Sequence, residues 1–166
     1  MPTDIVVELV KRLESKLEQS AEAEELHIWS SVLTYVTISY VTSLRGPDEF
    51  LLDLEGSNRH WYRSDEYVTI ALLGRLKGEH HNLQHLIPCI NVTASGIRVR
   101  TIIQNHMRIK ELSSLERGLP ISTREGKLLT TILVDDVVHE LLSDIFLTNS
   151  SLFPASVDSS EKIIWE

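Results

Sequence analysis

Arg45 and Lys77 are the side chains of this sequence best set for chemistry on a phosphodiester. Arg45 stands between two apolar helical runs, in Leu44-Arg45-Gly46-Pro47-Asp48, and an acid follows it three residues on. Lys77 lies in Gly74-Arg75-Leu76-Lys77-Gly78, where an apolar strand turns over. A guanidinium fork binds two phosphate oxygens at once, and a nearby ammonium can hand a proton to a leaving oxygen. Asp48 would orient the fork. Arg75, alternating with Lys77 along a strand, would point to the same side and lay a second positive charge along a backbone groove. Each cation also has an ordinary reading: Arg45 as a structural ion pair with Asp48 or Glu49, and Lys77 as a solvated turn residue.

The elements that would have to hold these residues can be read from periodicity. Ile5, Leu9, Leu13 and Leu17 recur every fourth residue with Val6 and Val10 beside them, so residues 4–20 form an amphipathic helix capped by Thr3 or Asp4. After the acidic Glu22–Glu25, residues 26–44 form a second helix with Trp29, Val32, Leu33, Val36 and Tyr40 on one face. Its Thr and Val content would also suit strands, but no turn residue interrupts it. Gly46-Pro47 stops that helix, and Pro47 with Asp48 and Glu49 opens the next.

From His60 to Cys89 the pattern shortens to strands at His60–Arg63, Tyr67–Leu73 and Gln84–Ile90, a small antiparallel sheet. Ser95 then caps a helix carrying Ile97, Ile102, Ile103, His106 and Ile109, which Gly118-Leu119-Pro120 ends. Val134, Val137, Val138, Leu141, Leu142 and Ile145 define a last helix, followed by a Ser- and Pro-containing connector. The fold class is α+β, mostly helical with a three-stranded antiparallel sheet. Residues 1–24 are an N-terminal helix, 25–150 the main domain, and 151–166 a connector with the first turn of a further segment.

With 166 residues and 42% hydrophobic content the chain can bury a real core. No apolar run reaches membrane-span length and no signal segment is visible, so the reading is an intracellular protein without membrane contact. A single cysteine, Cys89, excludes an internal disulfide and reads as a buried thiol. The net charge of −8 has the wrong sign for a protein that grips DNA unaided, because phosphate neutralisation supplies most non-specific affinity.

Two further clusters fail on spacing. Glu79-His80-His81-Asn82-Leu83-Gln84-His85 offers metal-ligand types, but a turn running into a strand separates His81 from His85 by about 13 Å. His139-Glu140-Leu141-Leu142-Ser143 has the start of a zinc-protease helix motif with Ser143 where the second histidine must stand. Neither implies a metal, and nothing implies a cofactor. Trp29 and Trp61 read as core or interface residues.

At these residues the chain resembles the catalytic domain of the tyrosine recombinases, the phage integrases and their relatives in eukaryotic mobile elements. That family places its first active-site arginine at a helix end, followed by an acid and a Leu-rich run. Leu44-Arg45-Gly46-Pro47-Asp48 before Phe50-Leu51-Leu52-Asp53-Leu54 is similar, with Asp in place of the more usual Glu. The family then has a three-stranded sheet with a lysine in the turn before the third strand, and Gly74-Arg75-Leu76-Lys77 ahead of Leu86-Ile87-Pro88 is similar too. The resemblance covers about residues 25–150. It implies Arg45 as a scissile-phosphate ligand, Lys77 as the acid that protonates the departing 5′-oxygen, and DNA as the partner, in the nucleus if the source is eukaryotic. The family's His-x-x-Arg box and nucleophilic tyrosine would fall beyond Trp165. Tyr35, Tyr40, Tyr62 and Tyr67 all precede that place.

The expectation is therefore a truncated recombinase-like domain, inactive alone and weak on DNA alone, awaiting a C-terminal segment or forming a homo-oligomer. The alternative is a non-catalytic helical module for protein interaction. Truncation would also uncover Ile102, Ile109, Val138 and Ile145 and drive self-association through the C-terminal helices.

Overall fold

A computed structural model describes residues 1–43, 65–74, 78–81, 83–112 and 131–153. The described elements are α1 (Thr3–Gln19), α2 (Ala23–Thr42), β1 (Tyr67–Gly74), β2 (Leu83–Ile90), α3 (Val99–Leu112), α4 (Thr131–Thr148) and a single 3₁₀ turn, Ser150–Leu152. Helix and strand are mixed, as the sequence pattern requires. The sheet described has two antiparallel strands, paired from Tyr67 opposite Ile90 to Gly74 opposite Leu83. The expected strand at His60–Arg63 lies outside the described residues, as do the Gly118-Leu119-Pro120 stop and the helix start at Pro47.

α1 forms as its four-residue period demands, burying Ile5, Val6, Leu9, Val10 and Leu13. Its cap differs from expectation. Pro2 occupies the N-cap, and its carbonyl accepts the N–H groups of Ile5 and Val6, leaving Thr3 as the first helical residue. No side chain is needed there because the fixed φ of proline already sets the chain on its way in. Arg12 ties α1 to α4 by donating to Thr148 Oγ1 at 2.6 Å, while pairing with Glu8 one turn back. Lys16 sets its ammonium over the Trp29 ring, 5.5 Å from the centroid.

α2 is the central element. Nine of its residues are buried, among them His27, Ser30, Ser31, Thr34 and Thr37 as well as Val32, Leu33, Val36 and Ile38. Its hydroxyls return to their own helix: Ser31 donates to the His27 carbonyl at 2.7 Å and Thr37 to the Leu33 carbonyl at 2.7 Å. This back-bonding makes an apolar surface out of polar residues. It lets a Thr-rich segment run as a buried helix in spite of its β propensity.

Two clusters of buried side chains flank α2. The larger joins α1, α2 and α4 around Leu9, Leu13, Val32, Val36, Val138, Leu142 and Ile145, closed by Phe153. The smaller joins Ile38 of α2 to Val68, Ile70 and Leu72 of β1, Cys89 of β2, and Val99 and Ile103 of α3. α3 begins at Val99, four residues later than the expected cap. Ser95 is in a turn, its hydroxyl 2.9 Å from Thr93 Oγ1, and Gly96 holds φ +86, a conformation that side chains rarely adopt. Ile97 precedes the helix and pairs back to Thr93.

The expected uncovering of the C-terminal helices is contradicted. Ile102, Val138 and Ile145 are buried and Ile109 is half-buried, because α1 and α2 already cover α4. Most of the exposed large aliphatics among the described residues lie instead on the sheet and just past it, Leu73, Leu83, Leu86, Ile90 and Val92 with Tyr67 beside them, and Leu147 stands exposed on α4. Among the described residues no helix is long and apolar enough to cross a membrane.

Two measurements check this packing. Leu142→Ala, at a fully buried position of the larger cluster, is expected to cost about 2–5 kcal/mol in urea unfolding, against less than about 0.5 kcal/mol for Leu147→Ala on the exposed side of the same helix. Burial pushes the Cys89 thiol up to about 11 from 9.0. Its folded-state thiolate is scarcer by roughly 100-fold at pH 8, so a disulfide reagent should modify the native chain slowly and the urea-unfolded chain at once.

Candidate functional site

Arg45, Asp48, Arg75 and Lys77, the residues singled out by the sequence, lie outside the described residues, as do Tyr62 and Trp61. What the structure describes is their frame. α2 ends at Ser43, which takes a left-handed conformation (φ 55°, ψ 27°) and donates its N–H to the Ser39 carbonyl at 3.0 Å. That helix end comes two residues before Arg45. The hairpin is described up to Gly74 on one side and from Leu83 on the other, the rims of the segment that carries Arg75 and Lys77. Gly78 has φ +93, so the turn needs glycine there. Ile38 and Val41 of α2 pack in the same cluster as Ile70 and Leu72 of β1, so helix end and hairpin share one core.

Past the turn, Glu79 Oε2 lies 3.1 Å from His85 Nε2. This pairing engages the histidine that the metal reading would have needed. Among the described residues no group of three or more metal-ligand side chains converges.

The other end of the hairpin is latched to α3. Arg100 reaches Asp65 Oδ1 at 3.3 Å and the Tyr67 carbonyl at 3.1 Å. Asn91 receives the Arg100 N–H on its side-chain oxygen, gives its own amide to the Asp65 carbonyl, and accepts the Val99 N–H on its backbone carbonyl. One asparagine thus closes the sheet and starts the helix. The Asp65 carboxylate is fully exposed, so the Arg100–Asp65 ion pair itself adds little, and the latch depends on the backbone acceptors.

A buried polar group missed by apolar periodicity lies between α2 and α3. His27 and His106 are 1% and 0% exposed, and their rings stack with centroids 5.7 Å apart and planes at 22°. Ser30 Oγ lies 2.8 Å from His106 Nδ1. The contact has the residue types of a nucleophile and its base, yet it is built for packing. Ser30 Oγ also lies 3.1 Å from the His27 carbonyl, so the hydroxyl bridges helix backbone and imidazole and is not aimed at open space. Nor can a substrate reach a serine that is 2% exposed. Lys110, one turn further along α3, is buried on the same side. The signal was legible in principle: His27, Ser30, Ser31, Thr34 and Thr37 recur at helical spacing as a second, polar stripe.

Beside this seam, an open cavity of about 270 Å³ is lined by Leu17, Glu18, Leu26, Asn105, Arg108 and Ile109. Its walls bring one acid, one base and one amide to a groove otherwise lined by Leu17, Leu26 and Ile109.

No protein-family model, no curated protein and no solved structure matches the chain.

If the α2–α3 seam is structural, removing its hydrogen bonds should cost stability in proportion to burial. His106→Ala empties a fully buried site and is expected to cost about 2–4 kcal/mol in chemical unfolding, and Ser30→Ala about 0.5–1.5 kcal/mol. A His106→Ala chain as stable as the parent would remove the seam from the fold's supports.

Proposed function

We propose that this chain is a tyrosine recombinase-like catalytic-domain fragment, associated with DNA integration and recombination and acting in the nucleus of a eukaryotic source. The observation that supports it is the order of the described elements around the two sequence motifs. A buried helix ends two residues before Arg45. An antiparallel hairpin then follows, with Lys77 in the sequence between its two strands, and a helix comes next, all packed on one apolar cluster. On this reading Arg45, oriented by Asp48, holds a phosphate, Arg75 tracks the backbone beside it, and Lys77 protonates a leaving oxygen.

The chain has no tyrosine after Tyr67. Tyr35 and Tyr40 are half-buried against the helical core, and Tyr67 begins β1 next to the Arg100 latch. None stands where the family's nucleophile would. Covalent catalysis needs that nucleophile, and arginines and lysine alone supply only binding and proton transfer.

A second reading, a protein-interaction module, is favoured by the outer face of the sheet. Tyr67, Leu73, Leu86 and Ile90 there are uncharged and about half exposed, a patch that marks protein contact more than nucleic acid contact.

Fluorescence anisotropy with duplex DNA separates the two. The first reading expects weak binding that fades toward physiological salt and drops further in Arg45→Ala and Lys77→Ala, since each removed cation removes one released counterion. A suicide substrate should trap no 3′-phosphotyrosyl adduct on this chain. Affinity unchanged by both substitutions would remove the phosphate site, and a trapped adduct would overturn the fragment reading.

A further inference from the structure

We propose that the outer face of the sheet is the interface of a symmetric dimer, and that the partner seated on it is a second copy of this chain. This rests on the protein-interaction reading above and names the partner. The strand register sets which residues share the face: Tyr67 lies opposite Ile90 and Ala71 opposite Leu86, with Leu73 at the far end. No charged residue of either strand alternates onto it. The inner face of the same strands is taken up by the core through Val68, Ile70, Leu72 and Cys89.

Tyr67, Leu73, Leu86 and Ile90 are each about half exposed, and Val92 continues the row past the strand end. Together they present roughly 500 Å² of apolar surface, near the upper end for the largest patch on a lone monomer. Two copies set face to face would remove about 1,000 Å² from water, the least that a specific interface needs. The area is enough for a dimer, and for a weak one.

Charge selects the occupant. With a net charge of −8, two copies repel each other over most of their surface and meet most cheaply where charge is missing. An uncharged face also offers a different protein no ion pairs to recognise, whereas depleted charge and high apolar content mark homodimer interfaces. The sheet edge is a poorer route. Among the described residues β2 pairs with β1 alone, and Pro88, exposed within β2, has no N–H to give to an added strand. Symmetry then fixes how the faces cross. A twofold axis lying across the strands sets the Tyr67 end of each copy over the Leu73 end of the other. It also keeps Asp65 and Glu66, exposed beside Tyr67, away from the same carboxylates of the second copy. An axis along the strands would bring them together.

Sedimentation of the full 166-residue chain from about 1 μM to about 300 μM tests this. The expected result is a monomer at the low end and a reversible dimer at the high end. Added salt should strengthen the dimer, because it screens the repulsion and leaves the apolar contact intact. Leu86→Glu and Ile90→Glu should each weaken dimerisation at least tenfold, since each buries a carboxylate without a partner. Leu147→Glu adds the same charge at the exposed leucine of α4 and should leave the dimer as it is in the parent. All three side chains are exposed, so urea midpoints in dilute solution should stay near that of the parent. A dimer that survives Leu86→Glu and Ile90→Glu, or that Leu147→Glu weakens equally, places the contact elsewhere and overturns the inference. A monomer at every concentration overturns it too, and Nile red fluorescence then tells the two readings apart. Dye bound by the parent and lost in Leu86→Glu rejects the second copy but keeps the face for another protein. No dye bound by the parent removes the protein-interaction reading as well.

Discussion

α2 has to be covered on every side, and most of the structure follows from meeting that demand. A helix that gave only one apolar face to the protein could rest on a single layer. This one carries Val32, Leu33 and Val36 toward α1 and α4, Ile38 toward the sheet, and His27 and Ser30 toward α3. Burying hydroxyls and imidazoles is costly unless their hydrogen bonds are made inside. Back-bonding to the preceding turn settles Ser31 and Thr37 without any tertiary partner, and the contact between His106 Nδ1 and Ser30 adds a link that does need one. The small side chains of the stripe also allow α3 a close approach. The polar stripe therefore fixes which helix pairs with α2, something an apolar stripe would leave more open.

That choice sets the place of the hairpin. α3 is held to α2 by the histidine seam and to the sheet by Asn91 and Arg100, so helix end, hairpin and α3 form one connected block. The segments bearing Arg45 and Lys77 leave from two rims of this block. The latch relies on backbone acceptors and one amide and not on an exposed ion pair, so salt should do little to loosen the scaffold.

The sequence revealed the elements better than their neighbours. α1, α2, both described strands and α4 could be placed because each repeats its apolar residues at the period of its own geometry. The start of α3 was misplaced because Ser95 looks like a cap, whereas Gly96 at φ +86 first bends the chain and only then lets the helix begin at Val99. The cover of Ile102, Val138 and Ile145 was misjudged for a different reason. Which helix lies on which is decided by long-range packing, and α1 turned out to supply cover that no local pattern announces. The polar seam escaped because a reading of hydrophobic periods sees hydroxyls and histidines as gaps. Arg45, Asp48, Arg75 and Lys77 were legible as types and spacings, but their mutual geometry lies outside the described residues.

The molecule's two unassigned surfaces ask for different partners. The outer face of the sheet carries tyrosine and aliphatic side chains without charge, so a polyanion gains nothing there, while another protein can bury apolar area against it. The outer face of α3 carries the exposed polar side chains of Thr101, Gln104, Asn105, Arg108 and Glu111, so burying it against an apolar surface would strand polar groups at a cost. Since α3 and the sheet are locked by Asn91 and Arg100, whatever is seated on one surface is held in fixed relation to the other.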